Sequence, residues 1–110
     1  MSLNRYANRR DANEGEIRAA LHKCGVMTYP LDHPVDLLCW GRGVFFMVEI
    51  KDPAKVPSQR KLTAVQQRFF EETEGYPRFK LETVEDALEA VASLRERPGD
   101  GLSPQGKGVP

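Results

Sequence analysis

The 110 residues include only two cysteines, Cys24 and Cys39, and no C-x-x-C pair. A disulfide-stapled scaffold is thereby excluded, and no zinc knuckle is present. Both cysteines sit in apolar stretches and no signal-peptide pattern opens the chain, so they are expected to be reduced, packed thiols of a cytoplasmic protein with no disulfide. Long apolar runs are also missing. The longest, Val44 to Ile50, already contains Glu49 and is far too short to span a membrane. Nor does one sign of charge dominate. Sixteen Lys and Arg balance sixteen Asp and Glu, so any grip on nucleic acid has to come from local patches rather than from an overall field. No internal repeat is visible, and 40% hydrophobic with 29% charged residues fits one globular domain.

What is present is punctuated clearly. Residues 1–12 are polar, with Arg5, Arg9 and Arg10 around Tyr6, and read as a flexible basic arm. Asn13 and Glu16 form a capping-box pattern ahead of Ile17, Ala20, Leu21 and Cys24, which fall on one helical face, and Gly25 stops the helix. Val26 to Tyr29 reads as a short strand, followed by a Pro30 to Pro34 loop holding Asp32 and His33. Val35 to Trp40 and Val44 to Lys51 read as two antiparallel strands joined through Gly41-Arg42-Gly43. A loop then carries Lys55, Arg60 and Lys61, the best basic patch in the chain. Thr63 and Gln66 predict a second capping box, with Val65 and Phe69 on one helical face, and Gly75 and Pro77 end that helix. Arg78 to Leu81 gives a last strand, and Thr83 caps a helix with Val84, Ala87, Leu88, Val91 and Leu94 toward the core. The 97–110 segment is Pro, Gly, Ser, Lys and Gln rich and is predicted to stay disordered. The reading is one α/β domain over 13–96, a small mixed β-sheet flanked by helices in the order α-β-β-β-α-β-α.

Charge falls where it is expensive. Glu49 and Lys51 end the most apolar strand, and alternation puts them on one face with Met47. A carboxylate so close to a core needs a hydrogen bond, a counter-charge or a metal. Asp36 on the neighbouring strand brings a second carboxylate toward the same edge, and oxygen ligands of this kind suit Mg²⁺ or Mn²⁺.

Asp36, then twelve intervening residues that include a hairpin, then Glu49-Ile50-Lys51 resemble the core motif of PD-(D/E)XK nucleases. Asn13-x-x-Glu16, Val35-Asp36-Leu37-Leu38, Gly41-x-Gly43, Val48-Glu49-Ile50-Lys51 and Leu62-Thr63-x-x-Gln66 together are similar to the stand-alone VRR-NUC (virus-type replication-repair nuclease) proteins common in phages and prophages. The resemblance covers about residues 11–92 and departs in one place, since Pro34 stands one residue further from the motif aspartate than the family pattern has it. It implies a restriction-endonuclease-like fold and a metal-dependent DNA endonuclease, for some members acting as homodimers on branched DNA such as Holliday junctions. Asp36, Glu49 and the Ile50 carbonyl would ligate the metal, Lys51 would orient or deprotonate the attacking water, Glu16 would face the site directly or through a water, and Gln66 would approach from the second helix. Neither a membrane nor a nucleotide cofactor is implied.

Plainer readings stand beside these. Glu16 and Gln66 both occupy capping-box positions and need no catalysis to explain them. His22, Cys24, His33 and Cys39 lack zinc-site spacing and fit packing or loop positions better. His33 precedes Asp36 by three residues and is a candidate for substrate contact, as are Lys55, Arg60 and Lys61 for the DNA backbone. Trp40 reads as core more readily than as a base-stacking residue. The rival function is a DNA-binding or assembly module of a phage replication or packaging complex that keeps the fold without cutting.

Overall fold

A segment with large apolar side chains at nearly every position needs hydrogen-bonded neighbours on both edges. Val44–Ile50, here β3, accordingly lies inside a four-stranded sheet. The computed structural model describes residues 11–95. The expected arm, apart from residues 11 and 12, and the expected 97–110 tail lie outside them. The remaining elements are α1 (Glu14–Lys23), β1 (Met27–Pro30), β2 (Leu37–Gly41), α2 (Ala64–Glu72), β4 (Arg78–Leu81) and α3 (Val84–Arg95). Sheet order is β1-β2-β3-β4, antiparallel except for the parallel β3/β4 pair, so the expected small mixed sheet flanked by helices is what forms. No helix among the described residues is long and apolar enough to cross a membrane.

The period-2 pattern of β3 sorts its side chains. Phe46, Val48 and Ile50 enter a core with Leu37, Cys39 and Leu81, under the stripes Ile17, Ala20, Leu21 of α1 and Ala87, Ala90, Val91, Leu94 of α3. Burial pushes the Cys39 thiol up to about 12, and both cysteines are free. Phe45, Met47 and Glu49 point the other way, where α2 approaches through Gln66. Unlike α1 and α3, α2 has no buried residue. Val65, expected on a packing face, is 64% exposed, and Leu88 of α3 is 47% exposed, because in each case the helix meets the rest of the fold through a narrower stripe than its apolar pattern offers.

Local chemistry explains the boundaries. The β2/β3 hairpin turns on Arg42 and Gly43, both at positive φ as a type I′ turn requires. Gly25 closes α1, its N–H donating to the His22 carbonyl while Val26 N–H donates to Leu21, the Schellman pattern. Thr63 and Gln66 form the expected capping box, and Thr83 forms another with Asp86. Asn13 departs from expectation. It makes no capping bond; its Nδ2 donates instead to the Lys51 carbonyl at 3.0 Å and the Glu82 carbonyl at 2.9 Å, so tertiary acceptors have taken the amide from its own helix. A 3₁₀ turn at Pro57–Gln59 interrupts the otherwise irregular basic loop.

Gly41 is the tightest point of the hairpin. A Cβ there would meet the Gly25 carbonyl oxygen at 2.4 Å and Val26 Cα at 2.9 Å, both backbone atoms that cannot rotate away. Gly41→Ala is therefore expected to destabilise by about 2 kcal/mol or more, lowering the melting temperature by roughly 10 °C. Gly15→Ala, in open space within α1, is expected to leave stability unchanged or raise it by up to about 1 kcal/mol. Thermal and urea unfolding of both variants checks the contrast.

Candidate functional site

The hairpin register decides which polar groups meet. Leu37 pairs with Val48, so Asp36, one residue before β2, arrives beside Ile50. The expected strand from Val35 is thus shorter at its start, and Asp36 belongs to the loop that enters it. Ile50 N–H donates to Asp36 Oδ2 at 2.8 Å. Because the parallel ladder to β4 uses Met47 and Lys51, Ile50 turns its main-chain groups toward the β2 side, which aims its carbonyl to the same side as Asp36.

Glu49 is 4% exposed and Lys51 9% exposed. Glu49 Oε2 accepts from Gln66 Nε2 at 2.8 Å and lies 3.3 Å from Lys51 Nζ. Glu49 Oε1 is buried and, among the described residues, accepts no hydrogen bond. Burial pushes the Glu49 carboxyl up to about 7, the negative charge of Asp36 pushes it the same way, and the Lys51 ammonium pulls against both. The two carboxyls are close enough to share a proton when Glu49 holds one; ionised, they repel. Lys51 is fixed through its main chain, its N–H donating to the Leu81 carbonyl at 3.0 Å while its own carbonyl takes the Asn13 amide. Gln66 does two jobs with one amide: Oε1 accepts the Thr63 N–H at 3.0 Å and Nε2 holds Glu49. Capping and site contact coexist in this residue.

Asp36, Glu49, Lys51, Ile50 and Gln66 therefore come together. Glu16 does not join them. It is exposed and borders a groove of about 430 Å³ with Ala20, Cys24, Val84 and Leu88 between α1 and α3. The reason is helix phase: Ile17, Ala20 and Leu21 anchor α1 to the core, which turns position 16 outward and position 14 inward. Glu14 is the buried carboxylate of α1, 6% exposed with Arg18 at 3.7 Å, and its spacing of three before Ile17 and seven before Leu21 was the signal for it. Asn13, which ties α1 to the Lys51 backbone, had no such signal, because its partners are distant in sequence. Among the described residues no three His, Cys, Asp or Glu side chains converge as a metal-holding group. What converges is a carboxylate pair with main-chain oxygen nearby, a hard donor set of the kind Mg²⁺ and Mn²⁺ accept.

The surrounding cations are differently placed. Lys55 pairs with Asp11 at 2.9 Å and Arg60 with Glu82 at 3.4 Å, while Lys61 is exposed. The Asp11 carboxylate also holds the Lys55 ammonium above its ordinary range. His33 is exposed in the loop leading to Asp36, and His22 spends Nε2 on the Thr28 hydroxyl at 2.9 Å.

Comparison with protein-family models, curated proteins and solved structures gives no match to this chain.

Glu49 makes the metal-free protein sensitive to pH in a defined direction. Its folded-state pKa is raised, so its contribution is fully favourable below the unfolded value of 4.5 and is lost as pH rises through about 7. Stability of the metal-free protein is expected to fall over that window by on the order of 2–3 kcal/mol. Glu49→Gln, which mimics the protonated form, is expected to flatten that fall and to melt higher than wild type at pH 8. Urea unfolding in chelator from pH 4.5 to 8 measures both.

Proposed function

We propose that this chain is a Mg²⁺- or Mn²⁺-dependent endodeoxyribonuclease of the PD-(D/E)XK type and, within that group, of the VRR-NUC kind. The observation that carries this reading is Glu49: a buried carboxylate beside Asp36 and Lys51, with one oxygen, Oε1, that receives no hydrogen bond from the described residues when the carboxyl is ionised. A group left so costly to ionise suits a cation better than it suits the core. The order α-β-β-β-α-β-α supports the restriction-endonuclease-like core, since it brings the loop before β2 and the end of β3 to one edge.

Asp36, Glu49 and the Ile50 carbonyl would hold the ion, a donor set that fits a hard divalent cation. When bound, it supplies a lowered pKa for coordinated water and positive charge against the phosphoryl oxygens. The protein's own groups do the rest. Lys51 Nζ, held 3.3 Å from Glu49, orients the attacking water and stabilises charge developing on the phosphate. Gln66 keeps Glu49 in one rotamer through its 2.8 Å bond. Water adds to phosphorus, the phosphodiester P–O bond breaks, and the leaving oxygen is protonated. Lys61 is free to meet the DNA backbone as it stands, whereas Lys55 and Arg60 exchange Asp11 and Glu82 for phosphate when they do so. His33 meets the substrate from the loop ahead of Asp36. The proposal extends to a homodimer acting on branched DNA, and the free thiols suit a cytoplasmic setting.

The purified protein, incubated with linear, nicked, single-stranded and four-way-junction DNA, is expected to cut in Mg²⁺ or Mn²⁺ and not in chelator. Lys51→Ala is expected to reduce cutting by about 10³-fold or more while Mn²⁺ binding survives, and Asp36→Ala to weaken both. DNA binding without cutting in any metal would instead support the non-cleaving module.

A further inference from the structure

The inner face of the sheet lies under α1 and α3, whereas α2 meets the outer face at Glu49 and Arg78. Beyond Glu49 and its neighbour Lys80, the register puts Tyr29 in line with Met47 and Arg78, and in the next row sets Trp40 beside Phe45. Three aromatic side chains are thus presented together. Tyr29 and Phe45 are more than half exposed and Trp40 is 36% exposed. The Trp40 and Phe45 ring centroids lie 6.4 Å apart at a tilt of 44°, so the two rings are not stacked on each other.

Charge on this face has one sign outside the carboxylate site. Glu49 is the sole acid at the outward strand positions among the described residues, and the cations there are Arg78 and Lys80. Arg78 Nε donates to the Thr73 hydroxyl at 3.0 Å, Nη2 donates to the Phe70 carbonyl, and the guanidinium lies 5.2 Å from the Phe70 ring centroid. These partners are all neutral, so none of them offsets its charge. Lys80 is exposed and only loosely paired, 3.8 Å from Glu82.

We infer that this face stacks the bases of a single-stranded stretch of DNA that leads to the Asp36 and Glu49 site. Unpaired bases offer flat apolar faces, with a phosphate at each nucleotide, and rings interleaved with cations match both. A four-stranded sheet displays such rings on one side because alternate residues of each strand point the same way. A duplex fits poorly: it hides its base faces and presents phosphates, where this face offers Tyr29, Trp40 and Phe45. An apolar protein surface fits poorly too, since it would bury the Arg78 charge without an acid to meet it.

Met47 and Phe45 lie two and four residues along β3 from Glu49, about 7 and 13 Å at a rise of about 3.3 Å per residue. At about 3.4 Å per nucleotide, the stacked stretch begins roughly two to four nucleotides from the phosphodiester at the carboxylates. The substrate is therefore a duplex that borders an unpaired stretch. The cutting rests on the nuclease reading; the stacking does not.

Trp40, the single tryptophan, reports binding directly. Its emission is followed in chelator during titration with an oligothymidylate of about 12 nucleotides, within the usual range of such sites, and with a duplex of equal length. The wild type is expected to be quenched by the single strand and to bind it more tightly than the duplex. Phe45→Ala and Tyr29→Ala are each expected to weaken single-strand binding by about 10-fold or more, with circular dichroism and melting unchanged because both side chains are exposed. Absence of quenching, duplex binding as tight as single-strand binding, or binding that both variants leave intact overturns the inference. So does emission that shifts to the blue with protein concentration alone, which would put a second copy on the face. Cleavage assays in Mn²⁺ separate the two claims: single-strand binding without cutting of any substrate keeps the platform and removes the nuclease, and cutting without single-strand binding does the reverse.

Discussion

The structure turns on the cost of ionising Glu49 at the end of a strand that is otherwise part of the core. Taking a carboxylate out of water is unfavourable by several kcal/mol unless something replaces the lost solvation. Lys51 and Gln66 replace part of it through Oε2, Asp36 works against it, and no donor among the described residues reaches Oε1. Much of the surrounding architecture serves to hold this unfavourable arrangement in place. The β2/β3 hairpin delivers Asp36, the crossover through α2 delivers Gln66, and β4 with Asn13 clamps the Lys51 backbone. A fold selected for stability alone would have little reason to keep two acids so close.

Much of this was legible in the sequence where short-range chemistry decides. The Arg42-Gly43 turn, the Thr63 and Gln66 box, the Gly25 stop and the alternation of β3 each follow from a few adjacent residues, and together they fix the register that brings Asp36 to Glu49. The reading failed where distant partners compete with local ones. Asn13 looks like a helix cap, yet the carbonyls of Lys51 and Glu82 capture its amide. Glu16 looks like the helix's contribution to the site, yet the depth of Ile17 and Leu21 in the core sets the helix rotation and buries Glu14 instead. Trp40, expected in the core, lies on the open face of the sheet, because Cys39 and Leu37 claim the inner one.

Polar and apolar functions share one surface without mixing. Along β3 the outward side chains run from Phe45 through Met47 to Glu49 and, just past the strand, Lys51. Apolar character lies at one end of this row and charge at the other. In the basic loop beyond Lys51, Lys55 and Arg60 are paired with acids from outside the loop, Asp11 and Glu82, partly exposed pairs that are individually weak.

The central claim, that Asp36 and Glu49 are placed for a divalent cation, is tested most directly by thermal unfolding at pH 8 with and without millimolar Mn²⁺. Binding to the folded state alone raises stability by mass action. The account predicts a rise of several degrees in wild type, on the order of what 1–2 kcal/mol gives a domain of this size, and its loss in Glu49→Gln. An equal shift in both proteins, or no shift in wild type, would contradict it.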